Sequence, residues 1–176
     1  VATSTYVFPQ EGLDYLLNMI PRATQASGAI YLGLFSTPWS TISGYMASGQ
    51  NNILLNASGT AVTELPSATG YTARTTTSGW TVPSGTTAVV GGTTISGVRY
   101  TTASAVTITN TSVSGWTVNG IFLCAGSSVV GNTSTASGGS TTVLWYSPFS
   151  DLNAVTLTSG DSIVVTPTWQ SLPYPN

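Results

Sequence analysis

Glu11–Phe35 reads EGLDYLLNMIPRATQASGAIYLGLF, and the change of period inside it decides the fold class. Leu13, Leu16, Leu17 and Ile20 recur at helical spacing, Glu11 and Asp14 stand where the helix dipole favours negative charge, and Pro21 ends the run. This spacing predicts a helix over Gln10–Ile20. After a loop at Arg22–Gly28 comes Ala29–Phe35, AIYLGLF, a nearly continuous apolar run of strand length, the pattern of a strand buried on both faces. The helix stripe is expected to pack on the sheet, anchored to Ala29–Phe35, because a membrane-surface helix needs a basic polar face that is absent here.

Outside this stretch the chain reads as short strands separated by Ser, Thr and Gly. Ser36–Thr60 is rich in Ser, Gly and Asn and carries Trp39, Tyr45 and Met46, so it is expected to be a long contact loop. Ala88–Val90, Ile95–Tyr100 and Ala105–Thr109 alternate in β-branched residues between Gly pairs, as in an antiparallel meander. TSGWTV at Thr77–Val82 is echoed as VSGWTV at Val113–Val118; the echo predicts two strands of one sheet, since two copies are too few for a solenoid. The fold class expected is mostly β, an antiparallel β-sandwich or jelly-roll-like barrel with one short N-terminal α-helix covering an opening or face. Residues 1–9 and 170–176, with Pro9, Pro173 and Pro175, read as extended arms around a single β-rich domain at 10–169.

A chain of 176 residues buries roughly 70% of its unfolded surface, enough for one core without metal or disulfides. Its one cysteine, Cys124, lies in an apolar run and is expected to be a small buried hydrophobe. Charged side chains make up only 5% of the residues, against about 25% in ordinary soluble domains. There is no lysine and no histidine. With 41% hydrophobic residues and five tryptophans, the chain is nonetheless a folding one. A net charge of −2 without a basic cluster argues against nucleic acid as a partner, and no apolar window is long enough for a membrane helix. VATSTYVFPQ lacks the basic start of a signal peptide, and Val1 reads as a mature end. Sheet edges are normally guarded by lysine and other charges. This chain has few to spend, so its edges and apolar surface are expected to be covered by neighbouring subunits.

The absence of histidine and lysine removes the commonest general base, metal ligand and amine nucleophile. Glycoside hydrolysis needs two carboxyls about 5–9.5 Å apart, and Asp151 with Asp161 or Glu64 is the pair available. Asp161, however, follows Gly160 in a hairpin turn, and Asp151 precedes Leu152 and Asn153 in a loop. Asp151, Asn153 and Asp161 do not have the spacing of a calcium loop. The chain therefore reads as no enzyme, with no cofactor and no metal. Three Asn-x-Ser/Thr triplets, at Asn56, Asn110 and Asn132, are what so much Ser and Thr produces by chance. Trp116, Trp145 and Trp169 lie in apolar runs and are expected in the core. Arg74 and Arg99 are expected as structural partners of Glu64 or of backbone carbonyls. The candidate interface residues are Tyr6, Phe8, Trp39, Tyr45, Met46, Trp80, Pro173 and Tyr174, on the arms and loops.

Four segments carry a family resemblance: Ile30–Phe35 (IYLGLF), Glu64–Arg74 (ELPSATGYTAR), Val143–Phe149 (VLWYSPF) and Ala154–Val165, which turns at Ser159–Asp161. Trp116–Cys124 adds a further strand of the same kind. Together they resemble a family of small tailed-bacteriophage virion structural proteins, with two residues between Tyr71 and Arg74 where the family pattern has one. The resemblance implies a capsid cement or decoration protein in the virion, assembled in the host bacterial cytoplasm. Its implied partners are other copies of itself, as a trimer, and the major capsid protein. The alternative it leaves open is a tail-fibre, baseplate or receptor-binding module that holds host polysaccharide.

Overall fold

The computed structural model describes residues 9–10, 12–14, 29–49, 53–57, 61–81, 85, 87–90, 93–96, 99–134, 141–149 and 153–171. Among these the order is β1 (Ile30–Phe35), α1 (Trp39–Ala47), β2 (Leu54–Leu55), β3 (Ala61–Val62), a 3-10 turn at Ser67–Thr69, β4 (Thr75–Thr76), β5 (Thr87–Val90), β6 (Thr93–Ser96) and β7 (Arg99–Thr102). Then follow β8 (Val106–Thr109), β9 (Trp116–Val118), β10 (Gly120–Ala125), β11 (Thr142–Pro148), β12 (Val155–Leu157), β13 (Ser162–Val165) and β14 (Thr168–Ser171). The protein is mostly β with antiparallel sheets and few helices, consistent with the β-sandwich-like class read from its sequence. Where the sequence reads one domain over 10–169, the chain forms two compact units, Val1–Thr76 with Ile108–Ser162 and Thr77–Thr107 with Ile163–Asn176.

The first unit is built on a four-stranded sheet of order β11-β10-β1-β4. β1 runs antiparallel to β10 from Ile30↔Ala125 to Phe35↔Gly120, and Leu32, Leu34, Phe35, Phe122, Leu123 and Cys124 are all fully buried. That explains the unbroken apolar runs: these strands are covered on both faces. Gly33 sits opposite Phe122, and a Cβ there would come within 2.2 Å of the Phe122 ring; the missing side chain lets the ring lie across β1. Phe35 meets Tyr146 edge-on at 6.0 Å, and Ile53, Leu55, Val62 and Val143 complete this cluster.

α1 corrects the expectation of a loop over Ser36–Thr60. Its Ser and Gly residues are weak helix formers, but Trp39 and Ile42, three apart and so on one face, are both buried in the same cluster. Burial of that face outweighs propensity. At the N-terminal end, Gln10 and Gly12–Asp14 are helical, and the N–H groups of Gly12 and Leu13 donate to the Pro9 carbonyl; Leu16, Leu17 and Ile20 lie outside the described residues. Leu13, expected on the sheet, is 46% exposed. Among the described residues of this turn, the one that meets the sheet is Gly12, against β11. Along β11 the pairing shifts, Leu123↔Trp145 being followed by Cys124↔Val143, so Leu144 is the extra residue of a β-bulge. A Cβ on Gly12 would lie 2.6 Å from the carbonyl oxygens of both Val143 and Leu144.

Trp116–Cys124, read as one strand, is two. β9 pairs with β12, and β10 with β1 and β11. The corner is Asn119, whose N–H and Nδ2 donate to the carbonyls of Phe35 (2.9 Å) and Ser36 (2.7 Å). Likewise β12 and β13 flank the turn at Ser159–Asp161 without forming a hairpin, since β12 takes β9 as its partner. Fully buried Asn110 fastens that turn to the loop after β8: its backbone bonds Gly160 and Asp161, its Nδ2 donates to the carbonyls of Ser114 and Leu157, and its Oδ1 accepts from Ser112 N–H.

In the second unit β5 pairs with β6 and β7 with β14, so only the first two strands of the expected meander are neighbours. Gln170 and Ser171, assigned to the C-terminal arm from sequence, belong to β14 and pair with Tyr100 and Arg99. The two Ser-Gly-Trp-Thr-Val copies are not strands of one sheet. Trp116 is buried in β9, with its indole N–H on the Thr69 carbonyl at 2.8 Å, whereas 77–81 form no strand and the Trp80 indole N–H reaches only Thr77 Oγ1.

Gly12→Ala is expected to push the N-terminal helical turn off β11, at about 1–3 kcal/mol for the overpacked methyl. Hydrogen exchange at Gly12 and Leu13 with thermal unfolding measures it, and unchanged protection with an unchanged midpoint contradicts the contact.

Candidate functional site

Among the described residues, the buried charged groups are Glu64 and Arg74, in the interior of the first unit. Glu64 is fixed on the sheet by a bridge to Phe35, with the Leu65 N–H on the Leu34 carbonyl at 3.0 Å. Arg74 lies just before β4, where its N–H donates to the Ser128 carbonyl at 3.0 Å and Ala73 bridges Val129. These anchors bring the two side chains together with 1% and 0% exposure.

The pairing is bidentate. Arg74 Nε donates to Glu64 Oε1 at 2.7 Å and Nη2 to Oε2 at 2.8 Å. The remaining guanidinium protons go to the carbonyls of Ser127 (2.8 Å) and Asn132 (3.2 Å) and to Thr141 Oγ1 (3.0 Å). Arg74 is thus held in a cage of oxygens, much as a metal ion is, with the Phe122 ring centroid 5.4 Å from its Cζ. Glu64 Oε2 also accepts from Gly131 N–H and Asn56 Nδ2, while Asn56 Oδ1 accepts the Glu64 N–H. Asn56 holds this bridge at φ 54°, the left-handed region in which Asn is the most tolerant non-glycine residue. Burial pulls the guanidinium pKa down, but the hydrogen bonds and charge of Glu64 outweigh it and the net shift is upward. Nearby, the Tyr71 hydroxyl accepts the Leu34 N–H at 3.2 Å and its ring packs edge-on to Trp116. Burial, then the Glu64 charge, push the Tyr71 phenol well above its ordinary value.

This arrangement binds rather than reacts. Each charge faces its opposite, and neither is reachable from solvent. The pair organises Ser127–Ser134, because Arg74 and Glu64 together hold the main chain of Ser127, Gly131 and Asn132, and Ser134 exchanges bonds with Leu55. The expectation that Arg74 partners Glu64 and carbonyls holds. Composition did not mark the loop as part of the lock, since its contributions are main-chain groups that every residue carries. The three sequon asparagines, Asn56, Asn110 and Asn132, all prove to be structural hydrogen-bonding centres.

Of the expected interface residues, Trp39 is buried and belongs to the core, because α1 turns it inward. Tyr45 is half-buried against the same cluster, Met46 is 42% exposed and Trp80 is half-buried. Tyr6, Phe8, Pro173 and Tyr174 lie outside the described residues. Trp116, Trp145 and Cys124 are buried, as expected; nothing is described of the Trp169 side chain. Sequence reasoning missed Val113, 98% exposed at a loop tip, and Val129, 56% exposed. An apolar residue between serines in a turn is the signal at Val113. Asp161 accepts from the hydroxyl and N–H of Thr158, which hold its carboxyl below the usual range, so it acts as a turn residue; Asp151 is outside the described residues. Among the described residues no three His, Cys, Asp or Glu side chains gather, and no helix is long and apolar enough to cross a membrane.

No protein-family model, curated protein or solved structure matches this chain.

Arg74→Met is expected to cost about 3–5 kcal/mol, because it strands the Glu64 carboxylate in the interior. Arg74→Met with Glu64→Leu is expected to recover much of that loss; a double variant as unstable as the sum of the two singles contradicts the coupling. For Tyr71, the folded state keeps a proton that the unfolded chain loses above about pH 10, so the unfolded state binds fewer protons and stability falls by up to about 1.4 kcal/mol per pH unit there. Tyr71→Phe removes that slope, and denaturant titrations between pH 9 and 11 read the difference.

Proposed function

We propose that this chain is a bacteriophage virion structural protein, a capsid cement or decoration subunit that binds the assembled lattice and stabilises it. The observation that carries the reading is how little charge the surface has. The chain holds three basic and five acidic side chains, and one of each is consumed in the buried Glu64–Arg74 pair. Two arginines and four carboxylates remain for everything else. Such a surface suits a permanent contact, in which Ser and Thr order at low side-chain entropy cost and few charges need desolvation. A subunit that binds only the assembled shell shifts assembly toward the shell by mass action, and several weak contacts per oligomer add by avidity.

The resemblance supports the same reading, and its segments have a physical meaning in this chain. Ile30–Phe35 and Val143–Phe149 contribute strands of the four-stranded sheet, and Glu64–Arg74 contributes both halves of its lock. Val129, in the loop after β10, and Val113, between β8 and β9, are exposed and are candidates for the lattice contact. The tail-module alternative, with aromatic loops holding host polysaccharide, loses Trp39 to the core and retains Trp80.

In purified virions carrying this chain, its copy number by quantitative mass spectrometry is expected to be comparable with that of the major capsid protein. A copy number that is a small fraction of the capsid protein's, together with glycan binding lost in Trp80→Ala, assigns it to the tail. Absence from the particle removes the virion reading altogether.

A further inference from the structure

We infer that the β5–β6 hairpin is a self-association element, in which β6 pairs antiparallel, about a two-fold axis, with β6 of a second copy of this chain. The inference rests on the self-assembly part of the proposed function and names its surface. β5 and β6 pair over Thr87↔Ser96, Ala88↔Ile95, Val89↔Thr94 and Val90↔Thr93, and among the described residues they take no third strand. A two-stranded sheet by itself is marginally stable in water and gains from a further strand.

The register identifies the open groups. Two residues separate Val90 from Thr93, so these two close the hairpin as a hydrogen-bonded pair, and the antiparallel alternation makes Ala88 and Ile95 the next such pair. Thr94 and Ser96 therefore direct their main-chain N–H and C=O groups away from β5. Thr94 is exposed. Monomeric proteins guard edges of this kind with lysine, other charges, proline or a bulge. Residues 75–98 contain no charged side chain, and the proline among them, Pro83, lies outside both strands.

The occupant follows from complementarity. A charged partner strand would place its charges against a hydroxyl and aliphatic edge with no counter-charge, whereas this chain's own edge is equally uncharged. Thr94-Ile95-Ser96 is also self-complementary. With the two-fold axis at Ile95, Thr94 stands opposite the partner's Ser96, Ser96 opposite the partner's Thr94, and Ile95 opposite the partner's Ile95. Each Thr–Ser pair then exchanges both main-chain bonds, as a hydrogen-bonded antiparallel pair does. Closure is two-fold here, where the resemblance implies three-fold.

Light scattering on the full chain tests this. The wild type is expected at twice the 18.0 kDa chain mass. Thr94→Lys/Ser96→Lys and Thr94→Glu/Ser96→Glu are each expected at the monomer mass, with unchanged circular dichroism and thermal midpoint. Mixing the two is expected to restore the dimer, because Lys then faces Glu across the axis. An oligomer whose mass survives in both variants, or a mixture that stays monomeric, overturns the hairpin contact and leaves self-association standing. A monomeric wild type overturns both. Should either variant misfold, hydrogen exchange on the wild type decides: the amides of Thr94 and Ser96 slow with rising concentration if the contact exists and do not if it is absent.

Discussion

The first unit depends on one buried ion pair. Arg74 and Glu64 are out of contact with solvent, and the desolvation of two charges is repaid only where geometry is good and every remaining proton and lone pair finds a partner. Both conditions are met: the guanidinium is bonded on all sides by oxygens, and the carboxylate accepts from Asn56 and Gly131 besides Arg74. The net contribution of such a pair relative to packed aliphatic side chains is small. Its geometric consequence is that it ties the main chain of three separated residues to one point. Ser127, Gly131, Asn132 and Thr141 satisfy the donors and lone pairs that the two side chains do not satisfy in each other.

The same economy of polar groups recurs at the corners. Asn119 turns the chain from the β9–β12 pair into the four-stranded sheet by holding two consecutive carbonyls at the end of β1, those of Phe35 and Ser36. Asn110 holds the turn at Ser159–Asp161 with its backbone, while its side-chain amide ties Ser112 and Ser114 to Leu157 at the end of β12. Exposed strands are laced by hydroxyls, Thr109 with Ser162 at 2.7 Å and Thr102 with Thr168 at 3.4 Å. A chain with so few charges thus uses amides and hydroxyls where other proteins use surface ion pairs. Neutral groups of this kind leave a surface with little long-range electrostatic character.

Much of the architecture was legible in the residues because its signal is local. Ala29–Phe35, Gly120–Ala125 and Val143–Phe149 are apolar runs too short for helices, and they supply three of the four strands of the main sheet. Two residues of opposite charge ten positions apart, Glu64 and Arg74, in a chain with few other charges, were a natural pair. The misreadings have a common cause. α1 lacks strong helix formers and exists because Trp39 and Ile42 face a core made by distant strands. Two identical Ser-Gly-Trp-Thr-Val segments differ in structure because Trp116 finds Tyr71 and the Thr69 carbonyl, while Trp80 finds Thr77. The split at Asn119 is invisible to a period-2 pattern, since apolar residues continue on both sides of it.

From the residues alone come the β class, the apolar strands, the absence of histidine and lysine chemistry, and the uncharged surface, because composition and short-range periodicity carry them. Only the folded chain decides that Gly12 faces a bulge in β11 while Leu13 faces outward, that Trp39 is core, and that the loop after β10 closes on Arg74. Each of these depends on groups brought together from far apart in the sequence, and the contacts of Gly12 and Arg74 are largely to main-chain atoms. A carbonyl or an amide is the same at every position, so nothing in the one-dimensional chain marks which of them a buried side chain will find.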